Sequence, residues 1–111
     1  MKKTTLLALG AILLTGCAVQ SYRSDFEFAA KLAREGLWQE AVFRLEKARA
    51  AGNDSAALHN NLAVALESLG RLEEAEREYQ LAQERARGNG QIESNYKQFK
   101  KSHGKAADEK K

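Results

Sequence analysis

Shifting the 111-residue sequence by 34 positions lays Ala29 on Ala63, Leu32 on Leu66, Gly36 on Gly70, Glu40 on Glu74, Ala41 on Ala75 and Ala48 on Ala82. Large groups fall in the same register, with Phe28 on Leu62, Trp38 on Leu72 and Leu45 on Tyr79, at places where a pair of helices needs filler. A period of this length marks a repeat array, in which each unit cannot hide its apolar face alone and must stack on a neighbour. The chain has no proline and is rich in Ala, Glu, Leu, Arg and Gln, so the units are expected to be helical, with no sheet.

Inside the second unit, Leu58, Leu62, Ala65, Leu66 and Leu69 recur at steps of three and four, and Leu72, Ala75, Tyr79, Ala82 and Ala86 form another stripe. Two stripes imply two helices, with small alanines letting the backbones approach. Gly36 and Gly70 lie between the helices of each unit, where a positive φ ends the first helix. Ser24-Asp25-Phe26-Glu27 has the form of a capping box, which predicts that the first helix begins there. Asp54 or Ser55 is placed to cap the third helix after the Gly52-Asn53 turn. Glu40 with Arg44, Glu67 with Arg71 and Glu73 with Arg77 have the (i, i+4) spacing of helix-surface pairs, each contributing about 0.2 to 0.5 kcal/mol. After Gly88-Asn89-Gly90, Ile92, Tyr96 and Phe99 make a fifth stripe, and Gly104 keeps the beat set by Gly70. A fifth helix is expected over about 90–102, without a partner, followed by a disordered Lys-rich tail over 104–111.

The stretches "EGLWQEAVFRLEKA" and "LGRLEEAEREYQLA" resemble the tetratricopeptide repeat, over about residues 22 to 103. Asn53 and Arg87 stand where the family usually ends a unit with proline. The resemblance implies an all-α domain over 24–103: one repeat at about 22–55, a second at about 56–89, and a C-terminal capping helix, in a short right-handed solenoid. It also implies a concave groove that binds peptides or partner proteins. By family position the groove residues are Phe26, Ala30, Ala33 and Arg34 in the first unit, and Ala57, Asn60, Asn61, Val64 and Glu67 in the second, extended by Ser94 and Gln98. Asn61 matches an asparagine with which family members hold peptide backbone, a task suited to an amide that donates and accepts at once. The other reading of Asn60 and Asn61 is a solvated helix face. Phe26 and Ala30 replace the lysine and asparagine of carboxylate-clamp members, so capture of a partner's C-terminal carboxylate is not implied.

Ahead of the repeats, Lys2 and Lys3 precede an apolar run from Leu6 to Leu14 that ends in small residues, the layout of a secretory signal peptide. At roughly 9 to 12 residues the run is too short to cross a hydrocarbon layer about 30 Å thick. Leu14-Thr15-Gly16-Cys17 resembles the lipobox of bacterial lipoproteins. That resemblance implies removal of residues 1–16, acylation of Cys17 as the mature N-terminus, and a short linker over 17–23. Two or three acyl chains, at about 0.8 kcal/mol per buried methylene, hold a protein on a membrane almost permanently. Ala18 occupies the position of the usual inner-membrane retention aspartate, so the resemblance implies the periplasmic face of the outer membrane.

Residues 18–96 carry 10 basic and 13 acidic side chains, whereas 97–111 carry six lysines against Asp108 and Glu109. An acidic body argues against a nucleic-acid partner. The tail reads either as solubilising or as a contact to anionic lipid or cell-wall polymer. Catalysis is not expected: His59 falls where the repeat wants a bulky packing group, His103 in the fraying tail, and no spacing of acids or thiols implies a cofactor or a metal site. Two and a half units are few for a continuous core, which predicts self-association or docking on a larger envelope protein, with Val42 and Phe43 as contacts outside the main stripe. The expected function is a membrane-anchored, non-catalytic adaptor or assembly factor with a protein partner. The alternative is a structural envelope lipoprotein that oligomerises and touches lipid or cell wall through its tail.

Overall fold

The computed structural model describes residues 23–108, with side chains through residue 104, and they form five helices and no strand. Helix α1 covers residues 23–34, α2 Trp38–Ala50, α3 Ala56–Ser68, α4 Leu72–Arg85 and α5 Gly90–Asp108. The expectations for residues 1–22, including Cys17, lie outside the described residues. Helix α3 is central, packed against α2 before it and α4 after it, and α4 in turn packs on α5. This is an all-α helical-repeat solenoid.

The core is built from the two interleaved stripes. Leu58, Leu62 and Leu66 of α3 are at most 1% exposed, each gaining about 1.5 to 3 kcal/mol from burial. They meet Leu45 of α2 and Tyr79 of α4, likewise buried. Ala29, Ala41, Ala48, Ala63, Ala75 and Ala82 are at most 1% exposed, where a larger side chain would hold the helix axes apart.

Three helices end in the same way. At Gly36, Gly52 and Gly70, φ is +76, +108 and +75, and the next amide reaches five residues back. Leu37 donates to the Leu32 carbonyl, Asn53 to Ala48 and Arg71 to Leu66, each at 2.9 to 3.0 Å. This Schellman arrangement satisfies carbonyls that the helix leaves unpaired, and only glycine adopts its φ without strain. The starts differ. Ser55 accepts from the Leu58 amide at 3.2 Å and caps α3, while Asn89 accepts from the amides of Gln91 and Ile92 and caps α5. Arg23 is already helical, so Ser24 lies within α1 and not ahead of it.

Several expectations are corrected. Val42 is 4% exposed and belongs to the core, whereas Phe28, expected as filler, is 41% exposed. None of the (i, i+4) charge pairs forms among the described residues. Arg44 turns to Asp25, Arg71 to Glu74, and Glu67 to Tyr79 and His103, because partners on neighbouring helices or one turn away lie closer. Helix α5 runs to Asp108, beyond the expected end at 102 and through much of the expected tail. Gly104 is therefore a helix-interior residue and not a turn. His103 does not fray: its ring lies 5.2 Å from that of Phe99 and its Nε2 lies 3.1 Å from Glu67 Oε1.

The capping role of α5 follows from the repeat. Ile92 and Tyr96, equivalent to Leu58 and Leu62, are buried against the stack. Lys97 and Lys100 stand where Ala63 and Leu66 meet the next helix, and both are exposed. Lys100 Nζ lies 4.4 Å from the Tyr96 ring centre, covering its outer face.

Candidate functional site

The first helices of the units, α1 and α3, frame a small depression of about 140 Å³, lined by Ala29, Ala30, Ala33, Leu45, Asn61 and Val64. Its floor is apolar because the repeat keeps Ala29 small for helix packing and pushes Leu45 up from α2. Ala30, Ala33 and Val64 are half-buried at its walls. Asn61 is the polar group on its edge, and its side chain makes no hydrogen bond among the described residues. A free amide beside an apolar hollow can hold a peptide backbone while a small side chain fills the hollow.

The other candidates divide between contact and scaffold. Arg34 is exposed at the end of α1 and forms no ion pair among the described residues. Phe26 packs half-buried against the core. Asn60 accepts from Asn95 Nδ2 at 3.0 Å, tying α3 to α5, so the two neighbouring asparagines have different duties. Glu67 accepts from the Tyr79 hydroxyl at 2.8 Å and from His103. Its carboxylate is thus engaged inside the stack. Tyr79 is correspondingly held protonated, its pKa pushed well above the usual tyrosine range first by burial and then by Glu67. Ala57, Ser94 and Gln98 are exposed, with Gln98 Nε2 at 3.5 Å from Ser102 Oγ.

His59 has the buried packing role its position predicts, but the ionic network around it is not legible from the repeat. His59, 2% exposed, sets Nδ1 at 2.6 Å from Glu78 Oε2 and Nε2 at 2.7 Å from Asp54 Oδ1. Glu78 Oε1 accepts from Arg49 at 2.8 Å, Arg49 also binds Glu46, and Asp54 Oδ2 takes a two-pronged bond from Arg85. Both ring nitrogens of His59 face carboxylates, and Arg49 and Arg85 supply the cations that pair with Glu46, Glu78 and Asp54. The cluster joins α2, the α2–α3 turn, α3 and α4, across the boundary between units. No buried side-chain polar atom among the described residues lacks a partner, and the imidazole is 2% exposed, so the cluster is a joint between units. The usable signal was the 19-residue spacing of His59 and Glu78, which pairs the two helices of one unit.

Among the described residues no group of three or more His, Cys, Asp and Glu is arranged to hold a metal, and no helix is long and apolar enough to cross a membrane. Neither the curated proteins nor the solved structures contain a significant match to the chain. A family model described as "Tetratricopeptide repeat" matches residues 32–97, more than half of the sequence. That span includes α2, α3, α4, the Schellman glycines and the buried alanines from Ala41 to Ala82. The chain therefore belongs to the tetratricopeptide repeat family, whose members are typically non-catalytic protein-interaction modules.

Proposed function

We propose that this chain is a lipid-anchored, non-catalytic adaptor of the bacterial cell envelope that holds an extended segment of a partner protein in the groove between α1 and α3. The observation that carries the reading is the Asn61 amide, unpartnered among the described residues, beside an apolar depression on a helix whose other polar side chains are tied into the fold. The tether rests on Leu14-Thr15-Gly16-Cys17 and the apolar run before it. Residues 18–22 then reach no farther than about 18 Å at ~3.3 to 3.6 Å per residue, which keeps the groove close to the membrane surface. Ala18 favours the outer membrane.

Two measurements test this. Mass spectrometry of the protein from the membrane fraction is expected to find Cys17 as an acylated N-terminus; an unmodified thiol with residues 1–16 retained contradicts the tether. Chemical crosslinking in the native envelope is expected to yield a discrete heterologous adduct. Self-adducts alone would favour the oligomerising structural lipoprotein.

A further inference from the structure

Residues 28, 62 and 96 occupy one position of the 34-residue repeat, yet Leu62 is fully buried, Tyr96 is 8% exposed and Phe28 is 41% exposed. The difference is what lies on the N-terminal side of each helix. Tyr96 is covered by α4, stacked 5.7 Å from Tyr79 and bonded to Gln80 and Glu76. By the repeat, α2 lies over Leu62 in the same way. Among the described residues nothing covers α1 from that side.

The charges at this end repeat the geometry with a change of sign. Asp25 and Arg44 stand at the positions of His59 and Glu78. Glu78 uses one oxygen for His59 within its own unit and the other for Arg49 from the preceding unit. Arg44 likewise uses Nη1 for Asp25 at 2.9 Å, but among the described residues the contact equivalent to that of Arg49 is unfilled. Since Arg44 is a cation where Glu78 is an anion, the group that completes it is a carboxylate. The guanidinium lies 5.0 Å from the Phe28 ring centre and 6.0 Å from that of Phe43, which is 63% exposed. The cation is thus set among apolar surface.

We propose that this end of the stack docks an amphipathic helix of a partner protein, its apolar stripe over Phe28 and Phe43 and an Asp or Glu on Arg44. Residues 1–22 contain no acidic side chain, so the chain's own N-terminal segment lacks the required group. A second copy docked end to end would set Arg44 and Lys47 against their own like charges. The site is separate from the groove, because Phe28 and Ala30 are about 200° apart around α1.

The test uses the full chain in detergent micelles and two synthetic peptides spanning residues 37–51, the helix that covers the second unit. One peptide keeps Arg49 and the other carries Arg49→Glu. By fluorescence anisotropy the Glu peptide is expected to bind ~10-fold more tightly than the parent, as complementary charge replaces like charge on Arg44. Phe28→Ser should abolish the binding. The double variant D25H/R44E, which copies the polarity of the second unit, should reverse the preference, with circular dichroism verifying that it is folded. Equal affinities, or a preference unchanged in the double variant, overturn the proposal. So does a dimer that Phe28→Ser dissociates, which gives the face to a second copy. Failure of both peptides, with Phe28 and Phe43 shielded instead by phosphatidylglycerol vesicles, gives it to lipid and overturns the proposal as well. None of these outcomes depends on Asn61, so the groove is tested separately.

Discussion

Asp25 Oδ1 accepts from Arg44 Nη1 at 2.9 Å across 19 residues, the separation that places His59 at 2.6 Å from Glu78 one repeat later. The polarity is reversed, yet both acids are nearly buried, Asp25 at 5% and Glu78 at 9%. The slot between the two helices of a unit thus requires complementary charge but not a particular sign, because a lone buried ion there would remain unpaired.

Removing the carboxylate of the second slot takes one of two acidic partners from Arg49 and from His59. Glu78→Gln is expected to destabilise the fold by about 2 to 3 kcal/mol, below the full cost of a broken buried pair because the Arg49 side chain, 38% exposed, regains water. Urea denaturation of the full chain measures it. Arg71→Ala, which breaks the exposed Arg71–Glu74 pair, should leave the midpoint unchanged.

Two glycines should respond to alanine with opposite signs. Gly70 has φ +75 in a Schellman turn, so Gly70→Ala is expected to cost about 1 to 2 kcal/mol. Gly104 sits inside α5, and a Cβ there meets nothing within 4 Å, so Gly104→Ala should stabilise by about 0.5 to 1 kcal/mol. Melting temperatures of the two variants decide this, and a loss at Gly104 would show that α5 does not persist to that point.

Much of this architecture is legible in the residues, and what is not has a physical cause. The stripes at three and four, the alanines and the turn glycines report local geometry, which the sequence carries directly. The ionic slots join residues 19 apart on different helices, so a rule confined to one helix assigned Arg44 to Glu40 and Glu67 to Arg71. Phe28 has the spacing of a core residue, and its exposure depends on what lies beyond α1. His103 and Gly104 have the polar neighbours of a tail, although the Phe99 ring and Glu67 hold His103 in place.

Acid should loosen the α2–α3 turn. Hydrogen bonds from His59, then Arg85, hold the Asp54 carboxyl below the usual carboxylate range. A depressed folded value means that its stabilisation is present above the unfolded pKa and lost as pH falls through the folded one, in the range below about pH 4. Stability measured from pH 6 to 2 should fall less steeply in Asp54→Asn than in the parent.

At the alkaline end the sign is opposite. Burial, and then Glu67, raise the pKa of Tyr79, so its contribution is complete below the ordinary value of about 10 and is lost as pH rises beyond it. Tyr79→Phe keeps the packing and should remove that part of the loss, at a cost near neutrality of about 1 kcal/mol for the missing hydrogen bond. Denaturation midpoints at pH 7 and pH 11 compare the two.

Site-specific photocrosslinking from single positions in the native envelope tests the central claim most directly. Probes at Asn61 and Val64, on the groove, should each capture the same discrete protein, while a probe at Arg77, exposed on α4, captures none. Equal capture from all three positions, or self-adducts alone from Asn61 and Val64, would contradict a protein-binding groove.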